Sequence, residues 1–212
     1  MKKILFAVFF TLVFSVTSLS ADGQVPGTFK FAFTGGGGMT VGYGDLEDDY
    51  ESEMTGTYFG GFSGYYAYDD MISFFAGLDY AKRPYKIKYD NGTTTGKSKI
   101  NASFMDINAG LRFTNFQGFF FEAGPFIGVP VGDWKYDNSG SLEGGDDKVP
   151  GKYSKVEVGL SVGGGYLLSL SETVDISLGV FMKGALTKGY DDGDTKLSSR
   201  MLGAKLGVEV KF

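Results

Sequence analysis

The stretch AKLGVEVKF, residues 204–212, carries the pattern that decides the fold. Its apolar residues occupy every second position, and polar or small residues stand between them. Because successive side chains of a β-strand point to opposite faces of the sheet, this alternation predicts a strand with one apolar and one polar face. The final residue, Phe212, belongs to the apolar face, so we expect the strand to run to the end of the sequence.

The same alternation recurs along the sequence, with turn residues between the segments. The alternating segments cover approximately residues 29–43, 55–68, 71–88, 99–113, 119–136, 152–168, 174–188 and 196–212. After residue 21, no segment repeats over three turns with the 3.6-residue period of a helix. The sequence therefore predicts an all-β protein with eight strands.

The amino-terminal residues have the layout of a secretory signal peptide. Two lysines follow Met1, an apolar run extends from Ile4 to Val16, and small residues follow at Ser18, Ser20 and Ala21. The apolar run is too short for a transmembrane helix, which needs about 20 residues. We therefore predict a signal peptide at residues 1–21 and one domain at residues 22–212.

Composition excludes several classes of function. The sequence has no cysteine and no histidine, which leaves no disulfide framework, no thiolate metal site and no histidine base of the kind used by barrel enzymes of this size. Without Lys2 and Lys3 the charge balance is 18 basic against 25 acidic residues, which argues against binding nucleic acid. We expect neither an enzyme nor a cofactor or metal site.

The connections between the segments alternate in length. Those near residues 69–70, 115–118 and 169–173 are short, whereas the others are longer and acidic. The longer connections are predicted loops at 44–54, 90–98, 137–151 and 190–195. With an even number of strands, all short turns and both termini lie at one end, as in outer-membrane barrels. This predicts a closed eight-stranded antiparallel up-and-down transmembrane β-barrel.

Alternation alone does not decide which face points inward, because a soluble lipocalin-like carrier also alternates. Here the polar face is rich in glycine and serine, for example over residues 159–165, and small residues suit the crowded interior of an eight-stranded barrel. The other face is bulky and almost free of charge over about ten residues per strand, which matches a lipid-facing band about 25 Å tall. The polar face is therefore predicted to point inward, and the reversed carrier stays as an alternative.

The inward face contains charges of both signs. The predicted lumen network consists of Lys30, Asp79, Arg83, Asp106, Arg112, Glu122, Glu157, Asp175, Lys183, Lys205 and Glu209. Unpaired charges in a narrow lumen are costly, so these side chains are expected to pair and fill it. A narrow small-solute pore between them remains a second alternative.

The sequence resembles small eight-stranded outer-membrane barrels of the OmpA-transmembrane-domain and OmpX kind. The stretch FFFEAGPFIGVPVG, residues 119–132, is most similar to the PorT-like family. The resemblance implies location in the bacterial outer membrane and a carboxy-terminal signal for the barrel-assembly machinery, which is formed by Leu206, Val208, Val210 and Phe212. Pro125 and Pro130 predict bulges or missing hydrogen bonds in their strand.

The expected role is structural or based on surface interactions. The expected partners are outer-membrane lipids, lipopolysaccharide, and a surface ligand that binds the four longer loops. Two acidic stretches, residues 45–53 and 191–194, leave divalent-cation binding open, although their spacing matches no known calcium loop. The phosphate-loop-like stretch at residues 91–98 has one residue too few between its glycines and is predicted to be a surface loop.

Overall fold

A computed structural model describes residues 24–46, 50–90, 95–115, 117–140, 148–193 and 195–212. The predicted signal peptide at residues 1–21 lies outside the described residues. In chain order the elements are β1 (Phe29–Asp45), β2 (Tyr50–Glu53), β3 (Thr55–Ala67), β4 (Ile72–Lys82), β5 (Tyr85–Asp90), β6 (Thr95–Asn101), β7 (Ser103–Thr114), β8 (Phe119–Pro130), β9 (Lys135–Gly140), a 3-10 helix (Gly151–Tyr153), β10 (Glu157–Ser169), β11 (Val174–Ala185), β12 (Tyr190–Asp191) and β13 (Lys196–Lys211).

Eight of these strands form a closed antiparallel barrel. Their order around the barrel is β1, β3, β4, β7, β8, β10, β11 and β13, and β13 pairs with β1 to close it. The closing ladder runs from Lys30 opposite Lys211 to Asp45 opposite Lys196. The predicted up-and-down barrel of eight strands is confirmed. We call the end with the short connections and both barrel termini the turn end, and the opposite end the loop end.

A second antiparallel sheet stands at the loop end. Its strands are ordered β2, β5, β6 and β9, and we call this four-stranded sheet the cap. The cap occupies residues that were predicted to be the ends of barrel strands or to be loops. The predicted third segment, residues 71–88, divides at Arg83 and Pro84 into β4 and β5, and the fourth divides at Ala102 into β6 and β7.

The loop predictions are therefore wrong for the residues that form strands. The predicted loop at 44–54 contains β2, the loop at 90–98 contains the start of β6, the loop at 137–151 contains the end of β9, and the loop at 190–195 contains β12. The sequence signal was ambiguous because polar, charged strands that face water resemble loops in composition. The predicted sixth segment also starts too early, since residues 151–153 form the short 3-10 helix.

Pro125 interrupts the pairing of β8 with β7 without a bulge, while the pairing of β8 with β10 continues through it. The ladder between β7 and β8 passes from Asn108 opposite Phe126 directly to Leu111 opposite Ala123. The register is unchanged across this gap, because each strand advances by three residues between the two pairs. The predicted loss of local hydrogen bonds is present, and the alternative of a bulge is wrong at this position. Among the described residues, no helix is long and apolar enough to cross a membrane, a finding that does not concern β-barrels.

Candidate functional site

The outer surface of the barrel is apolar. Phe31, Leu178 and Leu206 expose about half of their surface, with values of 50%, 47% and 53%. By contrast, Glu157 and Lys183 are buried inside, with 0% and 7% exposed. This placement rules out the alternative of a soluble carrier, which requires the opposite orientation of the two faces.

All eleven predicted lumen charges lie on the inner face, and ion pairs join them into three clusters. The clusters follow one another from the loop end to the turn end. The first contains Asp79, Arg83, Asp106, Glu157 and Lys183; the second contains Arg112, Glu122, Lys205 and Glu209; the third contains Lys30, Asp175 and Lys211.

Arg83 is the centre of the cluster at the loop end. It is fully buried, forms an ion pair with Asp106, and donates a hydrogen bond from Nη1 to Glu157 Oε2 at 2.7 Å. Lys183 reaches the same Asp106 at 3.0 Å and Asp79 at 3.4 Å. These contacts connect β4, β7, β10 and β11 across the lumen, which explains why charges distant in the sequence are tolerated inside.

Arg112 is the centre of the second cluster. Its Nη1 donates to both carboxylate oxygens of Glu209 at 2.7 and 2.8 Å, and its Nη2 lies 2.6 Å from Glu122. Lys205 forms an ion pair with the same Glu122. The guanidinium carbon lies 3.8 Å from the centre of the Tyr65 ring, so cation–π attraction adds to the ion pairs.

The third cluster stands near the chain ends. The carboxylate of Asp175 forms ion pairs with the Nζ atoms of Lys30 at 3.1 Å and Lys211 at 2.9 Å. The hydroxyl of Ser169 also donates a hydrogen bond to this carboxylate at 2.7 Å. Sequence reasoning did not include Lys211 in the network. The signal was present, because Lys211 shares the parity of Lys205 and Glu209 on β13. With Lys211 included, the three clusters contain six basic and six acidic side chains.

Aromatic rings fill the lumen between the charges, and sequence reasoning did not give them this role. Phe59 and Phe126 point inward over glycines of the neighbouring strands. A Cβ added to Gly36 would lie 2.7 Å from the ring of Phe59, and one added to Gly159 would lie 2.6 Å from that of Phe126. Inward glycines therefore provide the space that the rings occupy, which explains part of the high glycine content.

A small cavity remains inside the barrel between the first two clusters. Its volume is about 60 Å³, and its lining includes Asp79, Glu122, Lys183 and Lys205. Asp79 Oδ1 is buried and has no hydrogen-bond partner among the described residues. A cavity of this size holds a few water molecules. It is far smaller than the several hundred Å³ typical of a pocket for an organic ligand.

An apolar cluster lies inside the cap and above the loop-end charges. We call it the cap cluster; it consists of Tyr85, Ile87, Ile100, Ala102, Phe104, Trp134, Val149, Tyr190 and Leu197. The cluster joins the cap to β12 and β13 on the other side of the barrel. Burial raises the pKa of Tyr85 well above its usual range, so its hydroxyl stays neutral and donates to Glu157 at 3.0 Å. The cap cluster thus lies over the first ion cluster at the loop end.

The two sheets share one alternation but have opposite polarity. Along β4 and β5 the inward positions change from Asp79 and Arg83 in the barrel to Tyr85 and Ile87 in the cap. The outward positions change at the same level from exposed apolar residues to lysines. Because an apolar surface faces lipid and a charged surface faces water, the reversal marks the level at which the surroundings change from hydrocarbon to water.

Nothing among the described residues is arranged as a metal site, since no group of three or more Asp, Glu, His or Cys side chains is placed to hold an ion. The acidic stretches at 45–53 and 191–194 are described only in part, because residues 47–49 and 194 lie outside the described residues.

Comparisons with known proteins give structural similarity only. No family model matches the sequence, and no curated protein matches it. Ail of Yersinia pestis is similar at 10% identity, with 91% of this chain and 100% of that chain covered and a TM-score of 0.46. Neisserial surface protein A is similar at 18% identity, with coverages of 89% and 99% and a TM-score of 0.46. OprG of Pseudomonas aeruginosa is similar at 15% identity, with coverages of 90% and 99% and the same TM-score.

The fold and the surface of this chain decide its class. In a bilayer every backbone polar group must be paired, and a closed barrel satisfies this requirement. Here the barrel is closed, its outer face is apolar, and tyrosines such as Tyr58 and Tyr80 lie at the level where the polarity reverses. A closed barrel with an even number of strands, a lipid-facing band and aromatic borders is the fold of a bacterial outer-membrane β-barrel.

Proposed function

We propose that the chain is an integral outer-membrane barrel with a closed lumen, and that its role is structural or depends on interactions of its cap at the cell surface. The observation that carries the proposal is the reversal of polarity between the barrel and the cap. A water-soluble barrel has no reason to expose an apolar band below a charged rim. The reversal is the expected pattern for a chain that crosses a membrane and projects a folded sheet beyond it.

The side chains inside the barrel support a lumen that is closed to solutes. Twelve charged side chains meet in paired clusters, and inward phenylalanine rings fill the space between them. The cap cluster covers the loop end, with Trp134 and Tyr85 both almost fully buried. A solute would have to displace these groups and break several buried ion pairs, each of which is costly to separate.

Fractionation and electrophoresis test the membrane assignment. The mature protein should be found in the outer-membrane fraction and should be extracted only with detergent. A folded barrel that resists detergent should migrate differently on a gel before and after boiling. Recovery of the protein in the soluble fraction without detergent would overturn the proposal.

Conductance in planar bilayers tests whether the lumen is closed. The reconstituted protein should give no stable single-channel steps. The second candidate, a narrow pore, is favoured by the cavity between the first two clusters, which has room for a few water molecules. If regular steps appear and Glu122→Gln changes their size, the pore replaces the closed lumen as the function.

Two finer assignments belong to this proposal. Similarity to the PorT-like family depends on residues 119–132, which form β8 and the residues just after it. Recognition by the barrel-assembly machinery depends on the outward side chains Leu206, Val208, Val210 and Phe212 of the closing strand. Phe212 is 77% exposed at the end of this strand, so it is accessible to an assembly factor. Replacing Phe212 with Ser should reduce the amount of assembled barrel in cells while leaving refolding in detergent unchanged.

A further inference from the structure

We propose that the outward face of the cap, together with the last residue of β4, binds the phosphate groups of a glycolipid in the outer leaflet around the barrel. This proposal rests on the proposed membrane location of the barrel. We call this surface the lysine face; its basic residues are Lys82, Lys86, Lys88, Lys97, Lys99 and Lys135. It is continuous with the lipid-facing surface of β4 and β7, because the alternation does not change where these strands pass into the cap.

The strand register brings lysines directly opposite each other. In the β5–β6 hairpin, Lys86 is opposite Lys99, and Lys88 is opposite Lys97. Like charges directly across a ladder destabilise a sheet. Glu53 forms an ion pair with one lysine of each opposed pair, so an external anion would add to a neutralisation that the chain supplies in part.

The acidic residues on the same face are fewer than the lysines. The register places Glu51 opposite Lys88, Glu53 opposite Lys86 and Asp137 opposite Lys99. Glu53 is shared by two lysines, since it lies 2.6 Å from Lys86 and 3.0 Å from Lys97. Among the side chains that the structure describes, this face has six lysines and three acids, whereas the whole sequence has a net charge of −5.

The height of the lysines above the apolar band selects the kind of lipid. Tyr80 is the last large apolar residue on the outward face of β4, and its hydroxyl donates to Ser103 at 2.9 Å. With a rise of about 2.5 Å per residue along the barrel axis, Lys82 lies about 5 Å above Tyr80, and Lys88 about 20 Å above it. A bilayer headgroup layer is only about 5–7 Å thick on each side.

Only the lowest lysine therefore lies at the level of phospholipid phosphates. The rows that contain Lys86 and Lys88 stand higher, at the level of sugars attached to a glycolipid. A lipid that has phosphates both at its membrane anchor and on its saccharide would place an anion at the height of each row of the lysine face. Lipopolysaccharide has this chemistry and serves as the probe.

Binding of lipopolysaccharide to the protein in phospholipid nanodiscs tests the proposal. The test variant is Lys97→Gln/Lys99→Gln, which removes two charges from β6. The matched control is Lys152→Gln/Lys155→Gln, which removes two exposed lysines next to β10, outside the cap and two strands around the barrel from β7. Heat-dependent migration on gels shows whether each variant folds, so a failure of the barrel itself is distinguished from a failure of this inference.

Each basic residue near an anionic lipid surface contributes about 1 kcal/mol, so the test variant should bind lipopolysaccharide about 30-fold more weakly than the wild type, and the control within about twofold. Dephosphorylated lipopolysaccharide should bind the wild type as weakly as lipopolysaccharide binds the test variant. Equal losses in both variants, or no loss on dephosphorylation, would overturn the proposal. A soluble sulfated polysaccharide that binds the lysine face more tightly than the glycolipid does would also overturn it.

Discussion

The barrel and the cap are built from continuous stretches of chain, yet they bury opposite kinds of side chain. In the barrel the inner face contains Arg83 and Arg112 with their carboxylates, and the outer face is apolar. In the cap the inner face contains Trp134 and Ile100, and the outer face bears lysines. The alternation of inward and outward side chains continues without interruption from the barrel into the cap. The strand backbone therefore sets which residues point inward, and the surrounding lipid or water sets whether those residues are polar or apolar.

The two regions are also stabilised differently. The cap gains stability from removing apolar side chains from water, at about 25 cal/mol per Å². The outer face of the barrel gains nothing from contact with other protein, and its inside is specified by ion pairs and aromatic packing. Removing one partner of a buried pair should therefore damage the barrel most, and removing an apolar side chain should damage the cap.

Arg112→Met gives the largest expected effect. The variant leaves Glu209 buried without a cation, which should lower the free energy of unfolding of the whole barrel by about 3–5 kcal/mol. Urea unfolding in detergent micelles, followed by the heat-dependent gel shift, measures it. The double variant Arg112→Met/Glu209→Gln should recover part of the loss because the orphaned charge is removed. No recovery would mean that packing on Tyr65, rather than charge pairing, governs this site.

Trp134→Ala should produce a loss of similar size that is confined to the cap. Trp134 packs 5.1 Å from Phe104, measured between ring centres, and its indole donates to the Ser103 carbonyl at 3.2 Å. Truncation of a buried Trp costs about 3–5 kcal/mol. Limited proteolysis should then cleave the cap while the gel shift of the barrel persists, and Trp134→Phe is the milder control. Simultaneous loss of both regions would show that they fold as one unit.

Leu178→Lys tests the lipid-facing band. Leu178 lies in the middle of β11 and is outward, so a charge there should cost about 2–4 kcal/mol near the bilayer midplane. Leu170→Lys, in the exposed turn between β10 and β11, should cost about 0–1 kcal/mol because it lies at the interface. Refolding yield and urea midpoints in lipid vesicles compare the two variants. Equal costs would place Leu178 outside the hydrocarbon.

The smallest effect is expected from acid on the outer face of the cap. Hydrogen bonds from Lys86 and then Lys97 lower the pKa of Glu53 below its ordinary value of 4.5. A carboxylate with a depressed folded-state pKa stabilises the fold above its unfolded pKa, and this contribution is lost as the pH falls through the folded value. Protection of β2 against hydrogen exchange should therefore be constant near neutral pH and fall below about pH 4.5, with a weaker fall in Glu53→Gln. An identical fall in both proteins would assign it to other groups.

Part of the site was accessible from the sequence. Parity along each strand places Asp106, Arg112 and Glu122 on one face, and the need to pair buried charges predicts that they meet. Their partners were not predictable, because Arg112 meets Glu209 only after the last strand closes on the first. The inward phenylalanines were also missed, since a ring on the polar face looks like a break in the pattern until the facing glycine is known.

The sequence by itself determined the eight-strand count, the up-and-down order and the phase of the alternation, because a period of two leaves each side chain only two directions. Only the tertiary structure decided that the strands continue into a cap, and at which residue the polarity reverses. The physical reason is that strand pairing depends on neighbours distant in the sequence. A lysine-rich segment such as β6 becomes a strand because β5 and β9 pair with its backbone and its other face covers an apolar cluster.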